Sequence, residues 1–282
     1  MKNLIITADD YGMSLSVNNA IEECAAAGIV NATNLMVGMK FYESIVNIKK
    51  YFPKISIGLH WTLTAGYPVS DKREIPSLVN NDGLFWSYPE FRNKLRRRII
   101  SFKEIKKELL AQYQRYINIC GEPDYWNTHQ NVHIGFRIFD TFLDVASSLR
   151  ILKMRNHNRL YVRPKGEITI SASRRVIEPV KRIILKYWQL NANRIDIKSP
   201  DGLITLLCEE DKFDLEYVFS NIVWRNKRLG ELVIHPATLN DSVYFGNITE
   251  NRIKEYNLFR NPQVRELALE RGIFLCGFEE II

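Results

Sequence analysis

The 282-residue chain has no apolar run near the roughly 18–20 residues of a membrane-spanning helix. Its four cysteines, Cys24, Cys120, Cys208 and Cys276, are widely scattered and never in CxxC spacing. That pattern argues against a disulfide framework and reads as small core residues in a reducing compartment. No basic segment, apolar stretch and cleavage site precede the first strand, so we expect no signal peptide and a cytoplasmic location. Zinc-finger spacing, an RNP motif and a glycine-rich phosphate loop are missing too. The net charge of +7 therefore does not by itself point to nucleic acid, and we expect no such partner. Neither a low-complexity linker nor an internal repeat divides the chain. With 46% hydrophobic and 25% charged residues, it has the composition and length of one large α/β domain over residues 1–282.

Strand and helix patterns alternate along the chain. Strands are expected at 4–8, 32–37, 56–59, 125–128, 151–154, 203–206, 231–234 and 274–276. SLSVNNAIEECAAAG reads as a helix ending at Gly28, and FKEIKKELLAQYQRYINICG as a second ending at Gly121. Further helices are expected at 137–150, 173–188, 215–223 and 262–271. Such alternation implies a parallel sheet with helices outside, and seven or eight repeats favour a barrel over an open sheet.

In parallel barrels the chemistry gathers at the C-terminal ends of the strands. Here those ends carry unusual residues. LIITADDYG runs an apolar strand into two adjacent carboxylates, Asp9 and Asp10; one could cap the following helix, which leaves the other unexplained. ISIGLHW places His60, WNTHQNVH places His129 and His133, and ELVIHPA places His235 at or just past later strands. Each histidine alone is as compatible with a hydrogen-bonded structural role. His133, four residues after His129, is open to three readings: ligand, substrate contact, or a group behind the ligands. His157, in the basic stretch RNHNR, reads as an exposed bystander.

Taken together, one carboxylate and two imidazoles make a three-ligand divalent-metal site with open positions for water and substrate. A second aspartate beside it suits a general base, and another imidazole across the pocket suits a general acid. This is hydrolytic chemistry. The donor types leave the metal open: imidazoles favour zinc or another transition ion, hard oxygens favour magnesium.

The segments ITADDYGMS, GIVNATNLMV, ISIGLHWTLTAGYPV, LVNNDGLFW, EIKKELLAQYQRY, GEPDYWNTHQNVH, ELVIHPA and NRIKEYNLFRNPQVRELALERGIFLCGFEEI occur in that order over nearly the whole chain. In them the sequence resembles the YdjC-like carbohydrate deacetylases. The resemblance implies a distorted (β/α) barrel of the polysaccharide-deacetylase type. It implies metal ligands at Asp10, His60 and His129, a base at Asp9 and an acid at His235. It also implies a substrate, an N-acetylated sugar that loses its acetyl group through a metal-activated water. A metal hydrolase of another ester, amide or phosphorylated substrate, or a sugar-binding relative without catalysis, are the alternatives.

The chain departs from that family's pattern where D-S-H-x-H-x-H becomes Asn127-Thr128-His129-Gln130-Asn131-Val132-His133. Asn127 removes a negative charge from behind the ligands, which bears on metal affinity and choice; Asn131 bears on substrate. Glu231 matches an acid of the late motif and could equally be structural. Between Arg150 and Lys198 the chain is basic, and Val176, Val180, Ile183, Ile184, Tyr187 and Trp188 alternate with Lys and Arg. The plain expectation there is an outer helix with aliphatics inward. The sharper one is peripheral contact with an anionic membrane, suited to a lipid-linked or phosphate-bearing sugar, with Arg155 and Arg163 as further candidates for touching an anionic substrate. Trp61, Trp86 and Tyr67 either stack on a sugar or anchor the loop that bears them.

Overall fold

A computed structural model describes residues 1–135, 137–166, 172–206, 209–245 and 249–281. Cys208 lies outside the described residues, as does the side chain of Val176. In chain order the elements are β1 (Lys2–Tyr11), α1 (Leu15–Ala26), β2 (Ala32–Leu35), α2 (Ile45–Tyr51), β3 (Ser56–Trp61), α3 (Tyr88–Arg96), α4 (Phe102–Cys120), β4 (Trp126–Thr128), α5 (Ile138–Ser148), β5 (Arg159–Tyr161), α6 (Ala172–Arg194), β6 (Gly202–Thr205), α7 (Leu215–Asn221), β7 (Leu229–Ile234), α8 (Thr249–Phe259), α9 (Gln263–Glu270) and β8 (Ile273–Leu275).

The strands are all parallel, in the order β4-β3-β2-β1-β7-β6-β5, with β8 added beside the start of β1. This is the expected α/β architecture with a half-barrel sheet in place of a closed ring. Among the described residues, β4 and β5 do not pair; only isolated bridges, Trp126 to Met154 and Lys153 to Lys198, lie between the two ends. The strand expected at 151–154 is reduced to those bridges, and the fifth strand forms later, inside the basic stretch. Local pairing there delivers a side chain: Met154 N donates to Lys198 O and Arg155 N to Trp126 O, which holds Arg155 at the sheet's mouth. Helices α2, α3 and α8 were not expected from the sequence. Among the described residues, no helix is long and apolar enough to cross a membrane.

Strand alternation sorts the side chains into two layers. Leu4, Ile6 and Ala8 of β1 join the large core beneath the helices. Ile5 instead packs with Ala32, Tyr125, Phe278 and Ile281 inside the curve of the sheet. Phe278 closes the bottom of that interior, its ring stacked on Tyr125 at 3.6 Å between centroids. Gly58 makes this possible, because a Cβ there would lie 2.6 Å from Tyr125 Cζ. Two residues further up each strand, the interior turns polar: Thr7, Asn34, His60, Asn127 and Glu231 are all buried.

Helix α4 fixes the long loop after β3. Ser101 caps it, and Ile105, Glu108, Leu109, Gln112 and Tyr116 form its buried face. Glu108 accepts from the backbone N–H groups of Val69 and Ser70, both at 2.9 Å, while Gln112 bonds Thr62 N and O. Trp61 is fully buried, donates to Leu109 O and packs on Trp126 and Phe142. Trp86 donates to Ser77 O. Both tryptophans therefore hold the loop, and Tyr67 alone of the three aromatics is exposed.

Candidate metal centre

Adjacent residues of a regular strand point to opposite faces, so Asp9 and Asp10 ought to diverge. They do not, because β1 breaks its register with β2 between Ala8 and Tyr11, and Asp10 takes φ +75°. This bulge turns the Asp10 carboxylate back into the mouth where Asp9 already points. A left-handed conformation at a non-glycine residue costs on the order of 1–3 kcal/mol, held here by the paired strand on either side.

Asp10 Oδ1 lies 3.3 Å from His60 Nε2 and 3.1 Å from His129 Nδ1. All three residues are buried, and their donor atoms lie within 4.8 Å of one another. His129 Nε2 is buried without a hydrogen-bond partner. Two imidazoles and one carboxylate, gathered around a common point with a donor nitrogen unused, fit a divalent ion. This buried Asp10–His60–His129 cluster can hold a metal, and His133 is not part of it. Gln130 and Asn131, at φ +53° and +52°, break the turn after His129. His133 thus leaves the helical spacing that would have aligned it with His129. Its Nδ1 bonds Thr128 Oγ1 at 2.6 Å among Trp126, Phe139 and Phe142, and burial pushes its pKa down to about 3. His157 is no exposed bystander either. It packs on His133 with centroids 4.9 Å apart, and desolvation holds it well below the ordinary range.

Two arginines complete the electrostatics. Arg155 is buried and grips Asp9 through both terminal nitrogens at 2.7 Å, while its Nε donates to Glu231 at 2.9 Å. Burial opposes the Asp9 charge, but the Arg155 guanidinium outweighs it and holds that carboxyl well below the usual range. Burial raises Glu231, which also accepts from Thr7. On the other side Arg252 Nη2 donates to Asp10 Oδ2 at 2.5 Å. Burial opposes the Asp10 charge too, and Arg252 and His129 overcome it. His235 Nε2 is 3.9 Å from Asp9 Oδ2; desolvation lowers its pKa, so the imidazole tends to the neutral form.

Asn127 stands behind His60, with 2.5 Å between His60 Nδ1 and the amide. With the amide nitrogen on that side, its oxygen accepts from Arg155 Nη1 and Nη2, at 3.1 and 2.9 Å, and from Asn34 at 2.9 Å. A cavity of about 240 Å³ opens onto Asp9, Asp10, His60, His129, His235 and Arg252. A second groove of about 340 Å³ shares His129, Gln130 and Tyr244 with it and runs toward α3.

The five residues singled out from the sequence thus converge on one mouth. Sequence reasoning left Arg155 as a substrate contact, whereas its guanidinium is spent on Asp9 and Glu231. It missed Asn34, which donates to Asp9 at 2.6 Å, though a polar residue at the end of an apolar strand was a usable signal. Arg252 had none, since it sits on a helix whose polar pattern conceals it.

A model of the YdjC-like protein family matches residues 3–270. The chain belongs to that family. It is 34% identical to a chitooligosaccharide deacetylase of Salmonella heidelberg, over 99% of this chain and 98% of that one. It is 33% identical to a carbohydrate deacetylase of Geobacillus stearothermophilus, covering 98% and 96%. Among solved structures, a candidate cellobiose-phosphate cleavage protein of Enterococcus faecalis shares the fold, with TM-score 0.77 at 24% identity over 99% and 98% of the two chains.

Proposed function

We propose that this YdjC-like chain is a metal-dependent hydrolase that removes the acetyl group from an N-acetylated sugar. The observation that carries the reading is the pairing of the Asp10–His60–His129 cluster with a second carboxylate, Asp9, and a pocket-facing imidazole, His235, in one cavity. The names of the full-length relatives support the substrate class. A divalent ion held there would make water acidic near neutral pH and polarise the acetyl carbonyl. Zinc suits two imidazoles and a carboxylate; magnesium is the competing choice. We infer that residues 1–282 act as one domain, since the first and last strands pair in one sheet. Free Cys24, Cys120 and Cys276 suit a cytoplasmic setting.

In this reading Asp9 takes the proton of the attacking water and His235 protonates the leaving amine. Arg155 and Asn34 hold Asp9 ionised and orient it. A second division of labour is favoured by one observation: Asp9 is strongly stabilised as an anion, while His235 tends to the neutral form. His235 would then both take the water's proton and hand it to the amine, with Asp9 orienting the ring. We assign the sugar to the groove that His129, Gln130 and Tyr244 share with the cavity, because it opens directly beside the cluster.

The test is acetate release from a panel of N-acetylated sugars, including diacetylchitobiose and nucleotide- or lipid-linked forms. Metal-stripped protein is assayed with zinc, magnesium, manganese or cobalt, beside Asp9→Asn. Metal-dependent release that vanishes in the variant is expected. Tight stoichiometric metal binding without release from any sugar would transfer the site to another hydrolysed bond.

A further inference from the structure

Helix α6 buries one side in the ordinary way. Leu185 and Ala192 are buried, and Trp188 stacks on Phe139 of α5 at 5.1 Å. The opposite side is apolar as well, and it is open. Val180, Ile183, Ile184, Tyr187 and Leu190 follow one another at helical spacing in a single stripe, and are 55%, 70%, 41%, 58% and 49% exposed. The expectation of aliphatics turned inward fails along this stripe. Elsewhere among the described residues, exposed large apolar side chains do not recur at helical spacing over such a length. Single exposed apolar residues need no explanation, but a continuous stripe does.

The charges around the stripe are of one sign. Lys181, Arg182, Lys186 and Arg194 are exposed on the same helix. Glu178 is its one acid, and it is engaged by Arg159 at 2.8 Å. We propose that α6 is a docking helix that lays this apolar stripe into the interface of an anionic lipid surface, with its lysines and arginines at the headgroups. A surface helix with an apolar stripe and basic flanks is the arrangement that binds there, because burial and attraction to anionic lipid add. Charge complementarity selects this occupant. A second copy meeting the stripe by two-fold symmetry would bring the same cations face to face, whereas anionic headgroups supply the missing sign. The chain's overall charge of +7 acts in the same direction. None of this depends on the reaction at Asp10.

The experiment is co-sedimentation with vesicles of phosphatidylcholine alone and of phosphatidylcholine with phosphatidylglycerol. It uses the full chain and two exposed double variants, Ile183→Gln with Tyr187→Gln and Lys181→Glu with Lys186→Glu. Thermal melts establish that each variant is folded, and analytical ultracentrifugation reads oligomeric state. We expect partition onto the anionic vesicles only, weakened by salt and reduced about tenfold or more in both variants. Three results would overturn the proposal. The first is no partition by the wild-type chain. The second is partition that both folded variants retain. The third is a dimer dissolved by the apolar variant without vesicle binding, which would make the stripe a self-association face.

Discussion

His60 Nδ1 and the side-chain amide of Asn127 meet at 2.5 Å, and Arg155 and Asn34 crowd the other end of that amide with donors. The amide satisfies all of them only with its oxygen toward Arg155 and Asn34 and its nitrogen toward His60. It then donates to Nδ1, which leaves the imidazole proton on Nε2, the nitrogen facing Asp10. A metal ligand at that nitrogen needs the opposite tautomer. An aspartate would accept from His60, Arg155 and Asn34 alike. We therefore expect Asn127→Asp to bind zinc more tightly, by about 10-fold or more. Competition with a chromogenic chelator measures it, and an unchanged constant would show that residue 127 does not set the ring.

Removing ligands and removing Asp9 separate in the same assay. Asp10→Ala and His60→Ala should lose stoichiometric metal, read by elemental analysis after dialysis. Asp9→Asn should retain the metal while turnover falls by about 10²-fold or more. Full activity in Asp9→Asn would dismiss Asp9 from the chemistry.

Arg155 answers for two buried carboxylates, so Arg155→Met should cost about 3–5 kcal/mol at neutral pH, measured by urea unfolding. The pH dependence has a definite sign. Asp9 is depressed in the folded chain, so its stabilisation is fully present above the unfolded value of about 3.9 and is lost as pH falls toward the folded value. In Arg155→Met that carboxyl is buried without its partner and titrates upward instead. The unfolded value is common to both proteins, so the stability gap should narrow on acidification from the raised value of that carboxyl in the variant, above pH 4, down toward its depressed value in the wild type. A gap that stays constant on acidification would mean that the ion pair is not its source.

How far the sequence revealed this site follows from where each residue sits. Asp9, His60 and His235 end apolar strands, and a strand end is visible as a pattern. Their convergence needed only the parallel topology that the alternating elements already implied. The bulge at Asp10 was hidden, because a +75° φ leaves no mark in the residue order beyond the odd pair of acids. Arg155 and Arg252 were hidden for another reason. Long cationic side chains read as solvated unless the carboxylates that bury them are known, and those lie 146 and 242 residues away. The strand misplaced at 151–154 belongs with them, since that backbone extends to seat Arg155 rather than to build a ladder. On α6 the periodicity was legible but its direction was not: two apolar sides fit one pattern, and only burial tells them apart.

The pH profile of the reaction decides between the two assignments of His235. Desolvation lowers its pKa from 6.5, so the ring is mostly neutral at pH 7. If it enters protonated, as an acid, kcat/KM must fall as pH rises through that lowered value. If it enters neutral and takes the water's proton, kcat/KM must instead fall as pH drops through it. The ionised, doubly gripped Asp9 makes the second profile the expected one, with an acid limb below pH 6.5 that disappears from the residual activity of His235→Ala. A kcat/KM that instead falls as pH rises through that lowered value, with His235→Ala abolishing the limb, would return the proton-accepting role to Asp9.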